Sequence, residues 1–330
     1  MVMIFLFHEH VYSGGGTLGV TFFFVLSGFS LTLGYYDKIQ DGRFYYRPFI
    51  KKRLVKFIPL HWLTLVLAVI LKGSIAIYSV LSLEFTANAL LLQSWVPLES
   101  FYLSFNSVSW FLADTLFFVA IFPFIIRWVQ RTVKSRQITM AITVLLLYIV
   151  LIALLPHKLY SPILYINPIV RLLDFVIGIY MALWVKKSII GSVSTNKNQN
   201  TGLLYIYVFT IIAALVVISL LINGDYKKYS ICYWPLICGL LVIVCLIGVN
   251  GNQRGGQFLQ NRVLLWFGEI SFTFYMIHQL VIRYMSLLFK FILPGTDTYI
   301  IVITDFMMCL LCTALIDRFF VKKIVSKLSI

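Results

Sequence analysis

Long apolar runs separated by short polar segments dominate the chain. Most of these runs approach or exceed the roughly 20 residues that an α-helix needs to cross a bilayer. They are continuous and do not alternate between apolar and polar positions, which argues against a β-barrel. The pattern predicts an all-α, polytopic integral membrane bundle of about ten transmembrane helices. The predicted spans are 1–12 (partial), 17–36, 57–77, 108–128, 138–155, 165–185, 203–223, 230–249, 263–284 and 299–320.

The first run is shorter than the others. It opens the chain directly, with no basic leader and no small-residue cleavage site, so it does not have the pattern of a signal peptide. About twelve residues are too few for a full span. We therefore expect the first helix to be truncated at its N-terminus and residues 1–330 to form a single transmembrane domain.

The positive net charge of the chain is explained by the distribution of lysine and arginine in a membrane protein, which concentrates them on the cytoplasmic side. Charged residues make up 12% of the sequence, mean hydropathy is +0.94 and the net charge is +15. With the C-terminus in the cytoplasm, 20 of the 27 lysines and arginines fall in the segments 37–56, 127–137, 186–202, 250–262 and 318–330. Because lysine and arginine collect in cytoplasmic loops, the expected partner is the lipid bilayer and not nucleic acid. The five cysteines show no metal-ligand spacing, so we expect no metal.

Polar residues at the start of the chain are candidates for chemistry. His8 ends the first apolar run, where a neutral imidazole can take a proton from a hydroxyl; the alternative is an interfacial histidine satisfied by water. His10 lies two positions on and points to a different helix face. The next run carries Ser27 and Gly28 in mid-membrane, a small-residue step that suits a helix packed on another helix or lining a cavity.

Arg53 and Lys56 form a basic pair one helical turn apart at the cytoplasmic entry of the third span. Two cations on one face suit the phosphates of a nucleotide-like cofactor. A cluster that binds lipid headgroups is the alternative.

Further ionisable residues lie within the later spans, where burial is costly without a partner or a function. Asp114 is a candidate to orient a histidine or to cap a cavity. Arg171 and Asp174 are three residues apart and can bind substrate or neutralise each other. A polar stripe on one face of the ninth span is either part of a site or an interhelical hydrogen-bonding surface; it consists of Ser271, Tyr275 and His278.

Taken in order along the chain, these segments resemble the acyltransferase-3 family of bacterial integral-membrane acyltransferases. The similar segments are the apolar run that ends in His8, GTLGVTFFFVLSGF at 16–29, R-x-x-K-x-x-P at 53–59, SVSWFLADTLFFVAIFP at 107–123, RLLDFVIGIYMA at 171–182 and GEISFTFYMIHQ at 268–279. The resemblance covers nearly the whole chain and implies a ten-helix bundle.

The resemblance also implies roles for residues. His8 matches the essential histidine of the family, with His10 as the fallback, and Arg53 and Lys56 match a basic pair linked to acyl-CoA. Lys56 stands where the family has arginine, which keeps the charge and loses a bidentate fork. A further family arginine, upstream of the histidine, has no counterpart here. The family's glutamate position is Thr115, and Asp114 is the nearest carboxylate.

The implied function is O-acetyltransferase-like. An acyl group, expected to be acetyl, moves from cytoplasmic acyl-CoA to a hydroxyl of a cell-surface or lipid-linked carbohydrate, with the enzyme in the bacterial inner membrane. We expect His8 to act as general base or to carry the acyl group briefly, Asp114 to orient it, and Ser27 with Gly28 to let pantetheine approach the backbone. The alternatives are a transporter with a buried proton relay and a non-catalytic relative of the family.

Overall fold

The computed structural model describes residues 1–11, 15–187, 233–249 and 254–328, and the elements within these ranges are helices. They are α1 (Val2–His8), α2 (Gly15–Gln40), α3 (Tyr46–Ile70), α4 (Ala76–Val80), α5 (Leu83–Ala89), α6 (Glu99–Tyr102), α7 (Trp110–Arg131), α8 (Lys134–Leu154), α9 (Pro168–Val185), α10 (Trp234–Val249), α11 (Arg254–Leu259), α12 (Arg262–Ile292), α13 (Thr298–Ile316) and α14 (Lys322–Leu328). Short 3₁₀ or π turns connect several of them, including Ser107–Ser109 and Asp317–Val321.

Six of the described helical segments are long and apolar enough to cross a membrane. They are Gly15–Gln40, Tyr46–Ile70, Ser107–Arg131, Lys134–Leu154, Pro168–Val185 and Thr298–Leu328. The predicted all-α membrane class is confirmed, whereas the count of about ten spans stays a prediction. One predicted span, 203–223, lies outside the described residues, and α1 and α10 are too short to reach the length of a full span.

The chain divides into two compact units, each built from discontinuous segments. The first comprises Met1–Gly19, Arg47–Leu116 and Arg262–Ile330, and the second comprises Val20–Tyr46 and Phe117–Asn261. The predicted catalytic histidine and the basic pair both fall in the first unit.

In the first unit, α12 and α13 form a hairpin on which α1 packs. Gly295, with a φ of 86°, lies in the turn between the two helices. The ring of Phe5 from α1 meets the rings of Phe274 and Phe306 edge-on, at centroid distances of 6.3 and 5.3 Å. Because Phe274 belongs to α12 and Phe306 to α13, one aromatic side chain anchors the short first helix to both.

Glycines at the start of α2 hold α1 from the other side. A Cβ on Gly19 would lie 2.4 Å from Cγ1 of Ile4, and one on Gly16 would lie 2.9 Å from Cδ1 of Phe7. Side chains of α1 therefore occupy the space that larger residues at these two positions would take. This close packing fixes the C-terminal end of α1, which carries His8.

In the second unit, α2 and α9 touch backbone to backbone. A Cβ on Gly28 would lie 2.0 Å from the carbonyl oxygen of Phe175, and one on Gly178 would lie 2.0 Å from that of Val25. Such reciprocal glycine contacts let two membrane helices approach closely. The sequence left two functions open for Ser27 and Gly28, namely packing on another helix and lining a cavity. The structure shows helix packing at Gly28.

Candidate active site

His8 is the last residue of α1, and the chain turns sharply just after it. The N–H of Val11 donates to the carbonyl of Leu6 (2.9 Å) and the N–H of His10 to that of Phe7 (3.1 Å). His10 has a φ of 58°. This is a Schellman C-cap with His10 at the left-handed position that usually holds glycine. His8 and His10 thus have separate structural roles: the first ends the helix and the second forms its cap.

His278 on α12 faces His8, with 5.0 Å between the ring centroids. It is almost completely buried, and the ring of Phe274 stacks on it at an interplanar angle of 4°. Its Nδ1 lies 2.7 Å from the carbonyl oxygen of Tyr275, so that nitrogen carries the proton and donates. The other nitrogen, Nε2, is buried without a hydrogen-bond partner. A neutral imidazole in this tautomer presents a lone pair inside the site.

Gln279 also contacts His8. Its Nε2 lies 3.5 Å from Nδ1 of His8, and its Oε1 accepts a hydrogen bond from the hydroxyl of Ser107. Rotation of the amide by 180° would exchange its donor and acceptor, and the tautomer of His8 would follow. Gln279 is therefore placed to decide which nitrogen of His8 is available as a base.

Two of the segments that carry the family resemblance lie against each other here. Tyr275 donates to the carbonyl of Val108 (3.2 Å), and Asn106 donates to that of Met276 (2.8 Å). The rings of Phe111 and Tyr275 are 4.8 Å apart. These contacts join the turn before α7 and the start of that helix to the middle of α12.

The remaining predicted residues of these two segments differ in burial. Asp114, three residues after Phe111 on α7, is completely buried. Its role in orienting a histidine stays a prediction. On α12, Tyr275 and His278 are buried, whereas Ser271 is only partly so and donates to the carbonyl of Gly268 in its own helix (2.8 Å).

A cavity of about 450 Å³ opens beside His8. Its wall consists of the end of α1, the last turns of α12, the turn after it and the start of α13. The polar lining includes both predicted histidines, His8 and His10, together with Glu9, Lys290 and Asp305. The carboxyl groups of Glu9 and Asp305 are within hydrogen-bonding reach of each other. A space of this size is typical of a small-ligand site.

The predicted basic pair lies on α3 at a distance from this cavity. The guanidinium of Arg53 stacks over the ring of Phe49 at 3.9 Å and donates to its carbonyl (2.9 Å). Lys56 lies close enough to Glu269 and Asp317 to interact with both carboxylates. An anionic ligand at Lys56 therefore has to compete with two protein carboxylates, and acyl-CoA binding by the pair stays a prediction.

Arg171 and Asp174 form an ion pair in the second unit. Their nearest atoms are 2.9 Å apart and both side chains are almost completely buried. Arg171 also donates to the hydroxyl of Thr21 (3.0 Å), and the indole of Trp234 donates to Asp174. The structure thus shows the mutual neutralisation that the sequence allowed, and a role in substrate binding stays a prediction. Contact between acyl-CoA and Ser27 also stays a prediction. In the structure the hydroxyl of Ser27 donates to the carbonyl of Phe23 in its own helix (2.7 Å).

Sequence reasoning missed two parts of this site. Gln279 ends a segment that the resemblance singles out, but an amide in a membrane helix gives no signal of its partner. Asp305 is visible as an ionisable residue within a span, yet nothing in the sequence joins it to Glu9, nearly 300 residues earlier.

The cap geometry predicts the effect of replacing His10. We expect His10→Gly to raise the free energy of unfolding by about 1 kcal/mol, because glycine adopts the left-handed conformation without strain. Thermal unfolding of the purified protein measures this, with His10→Val as the variant expected to unfold earlier. Acyl transfer by His10→Gly should stay within about twofold of the parent, since the cap is preserved. A loss of transfer as large as that of His8→Ala would move the catalytic assignment to His10.

Comparison with known proteins identifies sequences to which this chain is similar. A family model described as an acyltransferase domain matches residues 1–326. Acyltransferase MdmB of Streptomyces mycarofaciens is 27% identical over 288 residues, which is 82% of this chain and 69% of that protein. No solved structure matches the chain.

Proposed function

Because the chain belongs to the acyltransferase-3 family and is an integral membrane acyltransferase, we propose that it moves an acetyl group from acyl-CoA to a carbohydrate hydroxyl, with His8 as general base. The observation that carries this proposal is the position of His8, held at the edge of a cavity with His278 and Gln279 against it.

The chemical step needs a base beside the acceptor hydroxyl. With the amide oxygen of Gln279 turned toward Nδ1 of His8, Nδ1–H donates to it and Nε2 is the free base. Nε2 takes the hydroxyl proton as the acceptor oxygen attacks the thioester carbonyl. The C–S bond then breaks, and the imidazolium returns the proton to the departing thiolate. An ester and a free thiol result, and His8 is regenerated.

In this proposal His278 positions His8. Its ring packs beside that of His8, and its own proton is directed to the carbonyl of Tyr275. It therefore limits the orientations available to His8. A general base whose orientation is already fixed accelerates the reaction more than a mobile one, because less orientational freedom is lost on the way to the transition state.

The donor is proposed to enter at Arg53 and Lys56. These cations are one turn apart on α3, and Lys56 lies close to Glu269 of α12. Glu269 precedes His278 by nine residues, which corresponds to about 14 Å along the helix. An extended pantetheine arm can cover that distance, so phosphates held at the basic pair leave the thioester able to approach His8.

The proposed orientation of the protein in the membrane follows from the segments that are rich in lysine and arginine. They include 37–56 and 318–330, so the proposal places the C-terminus and the basic pair in the cytoplasm and His8 toward the outer face of the bacterial inner membrane. Acyl-CoA is a cytoplasmic metabolite, and surface glycans lie outside. The two ends of the first unit then face the two substrates.

The test uses membranes that contain the protein, acetyl-CoA labelled in the acetyl group, and cell-envelope glycan. Label that enters the glycan fraction and is released by mild alkali is expected, because oxygen esters are alkali-labile. Membranes without the protein provide the control. Label that survives alkali would indicate an amide product. No label in the glycan from correctly inserted protein would contradict the proposed donor and acceptor together.

A further inference from the structure

A second cavity lies in the first unit, just beyond the C-terminal end of α3. Its volume is about 480 Å³, and its walls come from the segments 72–84 and 99–105. The charged side chains that line it are Lys72, Glu84 and Glu99, and serine hydroxyls add to its polar surface. These residues lie outside the segments that carry the family resemblance, and the proposed acyl transfer does not use them.

The charges of this cavity are of both signs and do not neutralise each other. Within the described part of the chain, Lys72 forms no ion pair with Glu84 or with Glu99. Its ammonium lies 5.0 Å from the centroid of the Phe105 ring instead. A ligand in the cavity therefore finds one cation and two carboxylates available.

The wall of the cavity contains a strained residue. Phe105 has a φ of 55°, in the left-handed region that aromatic residues rarely adopt. Arg283 donates to its carbonyl (2.9 Å), and its ring packs edge-on against that of Phe85 at 5.5 Å. Such a backbone persists only where surrounding contacts hold it, and it occurs preferentially at ligand sites.

Exposed apolar side chains lie directly beside these charges. Ile77 and Leu81, four residues apart at α4, are 75% and 81% exposed, and Tyr78 between them is exposed as well. Residues four apart share one face of a helix. An exposed apolar face next to charged groups is typical of a segment that lies in the membrane interface. In the proposed orientation this segment belongs to the outer leaflet.

The lining of the cavity selects among lipid headgroups. A lysine ammonium binds a phosphate, and carboxylates accept hydrogen bonds from the three N–H groups of a primary ammonium. A headgroup that carries both groups matches the charges of both signs. A purely anionic headgroup would be repelled by two carboxylates, and a trimethylammonium group has no N–H to donate.

We propose that this cavity binds the headgroup of an aminophospholipid of the phosphatidylethanolamine type. Lys72 holds the phosphate, Glu84 and Glu99 hold the ammonium, and the acyl chains lie along Ile77 and Leu81. The bound lipid keeps the segment 72–84 at the membrane surface. This inference does not depend on the proposed acyl transfer, and its test does not use activity.

The experiment uses the purified protein in phosphatidylcholine nanodiscs with a phosphatidylethanolamine probe that carries a photoreactive diazirine in one acyl chain. Mass spectrometry of the digested protein locates the label, and its yield is followed against the mole fraction of the probe. The cavity variants are Lys72→Gln and the double variant Glu84→Gln/Glu99→Gln. The control is Lys158→Gln, an exposed lysine in a 3₁₀ turn of the second unit.

We expect the parent protein to be labelled within residues 75–83. The mole fraction that gives half-maximal labelling should rise at least about tenfold in both cavity variants, because charge-assisted hydrogen bonds are lost. It should stay unchanged in Lys158→Gln. Unlabelled phosphatidylethanolamine should displace the probe from the parent protein, whereas phosphatidylglycerol should not.

Three results would overturn the inference. Equal labelling of the parent and the double variant would show that the carboxylates do not hold the headgroup. Equal displacement by phosphatidylglycerol would show a site for phosphate alone. Displacement by free phosphoethanolamine as effective as that by the lipid would make the ligand a soluble zwitterion. Both displacement measurements use the parent protein, so they decide the question even if a variant fails to fold.

Discussion

Replacement of His8 by alanine is expected to lower acyl transfer at least about 100-fold while the protein still inserts and folds. This expectation follows because a positioned general base contributes ~10²–10⁴ to the rate. Nδ1 of His278 donates to the carbonyl of Tyr275 and its ring packs beside that of His8, while His10 lines the same cavity from the helix cap. The measurement is the initial rate of acetyl transfer, normalised to folded protein.

The matched control is the same substitution at His157, which lies in a 3₁₀ turn of the second unit and is not part of the site. His157→Ala should transfer at the parental rate. Full activity in His8→Ala would remove this residue from the mechanism. Acetyl-enzyme trapped by rapid acid quench in the parent protein, and lost with His8, would favour the covalent role of the imidazole over general-base catalysis.

The second large effect is expected at the contact between α2 and α9. Gly28→Ala or Gly178→Ala places a Cβ 2.0 Å from a backbone carbonyl oxygen of the facing helix. Backbone cannot move aside as the end of a side chain can, so the helices have to separate. Overpacking of this kind costs about 1–3 kcal/mol or more. We expect both variants to unfold at lower temperature and to yield less folded protein.

Gly34→Ala is the matched control because Gly34 lies on the same helix, α2, with no atom within 4 Å of the position of the added Cβ. Alanine is the better helix former, so this variant should be as stable as the parent or more stable. Equal stability of Gly28→Ala and Gly34→Ala would argue against the close contact. A raised KM for acetyl-CoA in a fully stable Gly28→Ala would support the predicted acyl-CoA contact instead.

Several features could be predicted from the sequence because they depend on local spacing. The apolar runs identify the membrane class, since a bilayer requires helices of a certain length. The pairing of Arg171 with Asp174 follows from a separation of three residues on one helix. The spacing of Tyr275 and His278 likewise puts them on one helix face. Each of these statements concerns one helix, and its geometry is nearly constant.

The family resemblance also belongs to the sequence, since motifs in the correct order are visible without coordinates. It is confirmed by a family model that covers residues 1–326. It singles out His8 and the basic pair, but it does not say which side chains meet them.

Which side chains contact each other in the site was decided only by the tertiary structure. His8 meets His278 and Gln279 across some 270 residues of chain, and Glu9 meets Asp305 across an even longer separation. Helical periodicity shows which face of a helix is polar but not which helix covers it. In a membrane the apolar faces are nearly equivalent, because lipid and protein satisfy them alike. The choice of partner depends instead on close steric fit at a few small residues, as at Gly19 against Ile4, and that fit exists only in the folded protein.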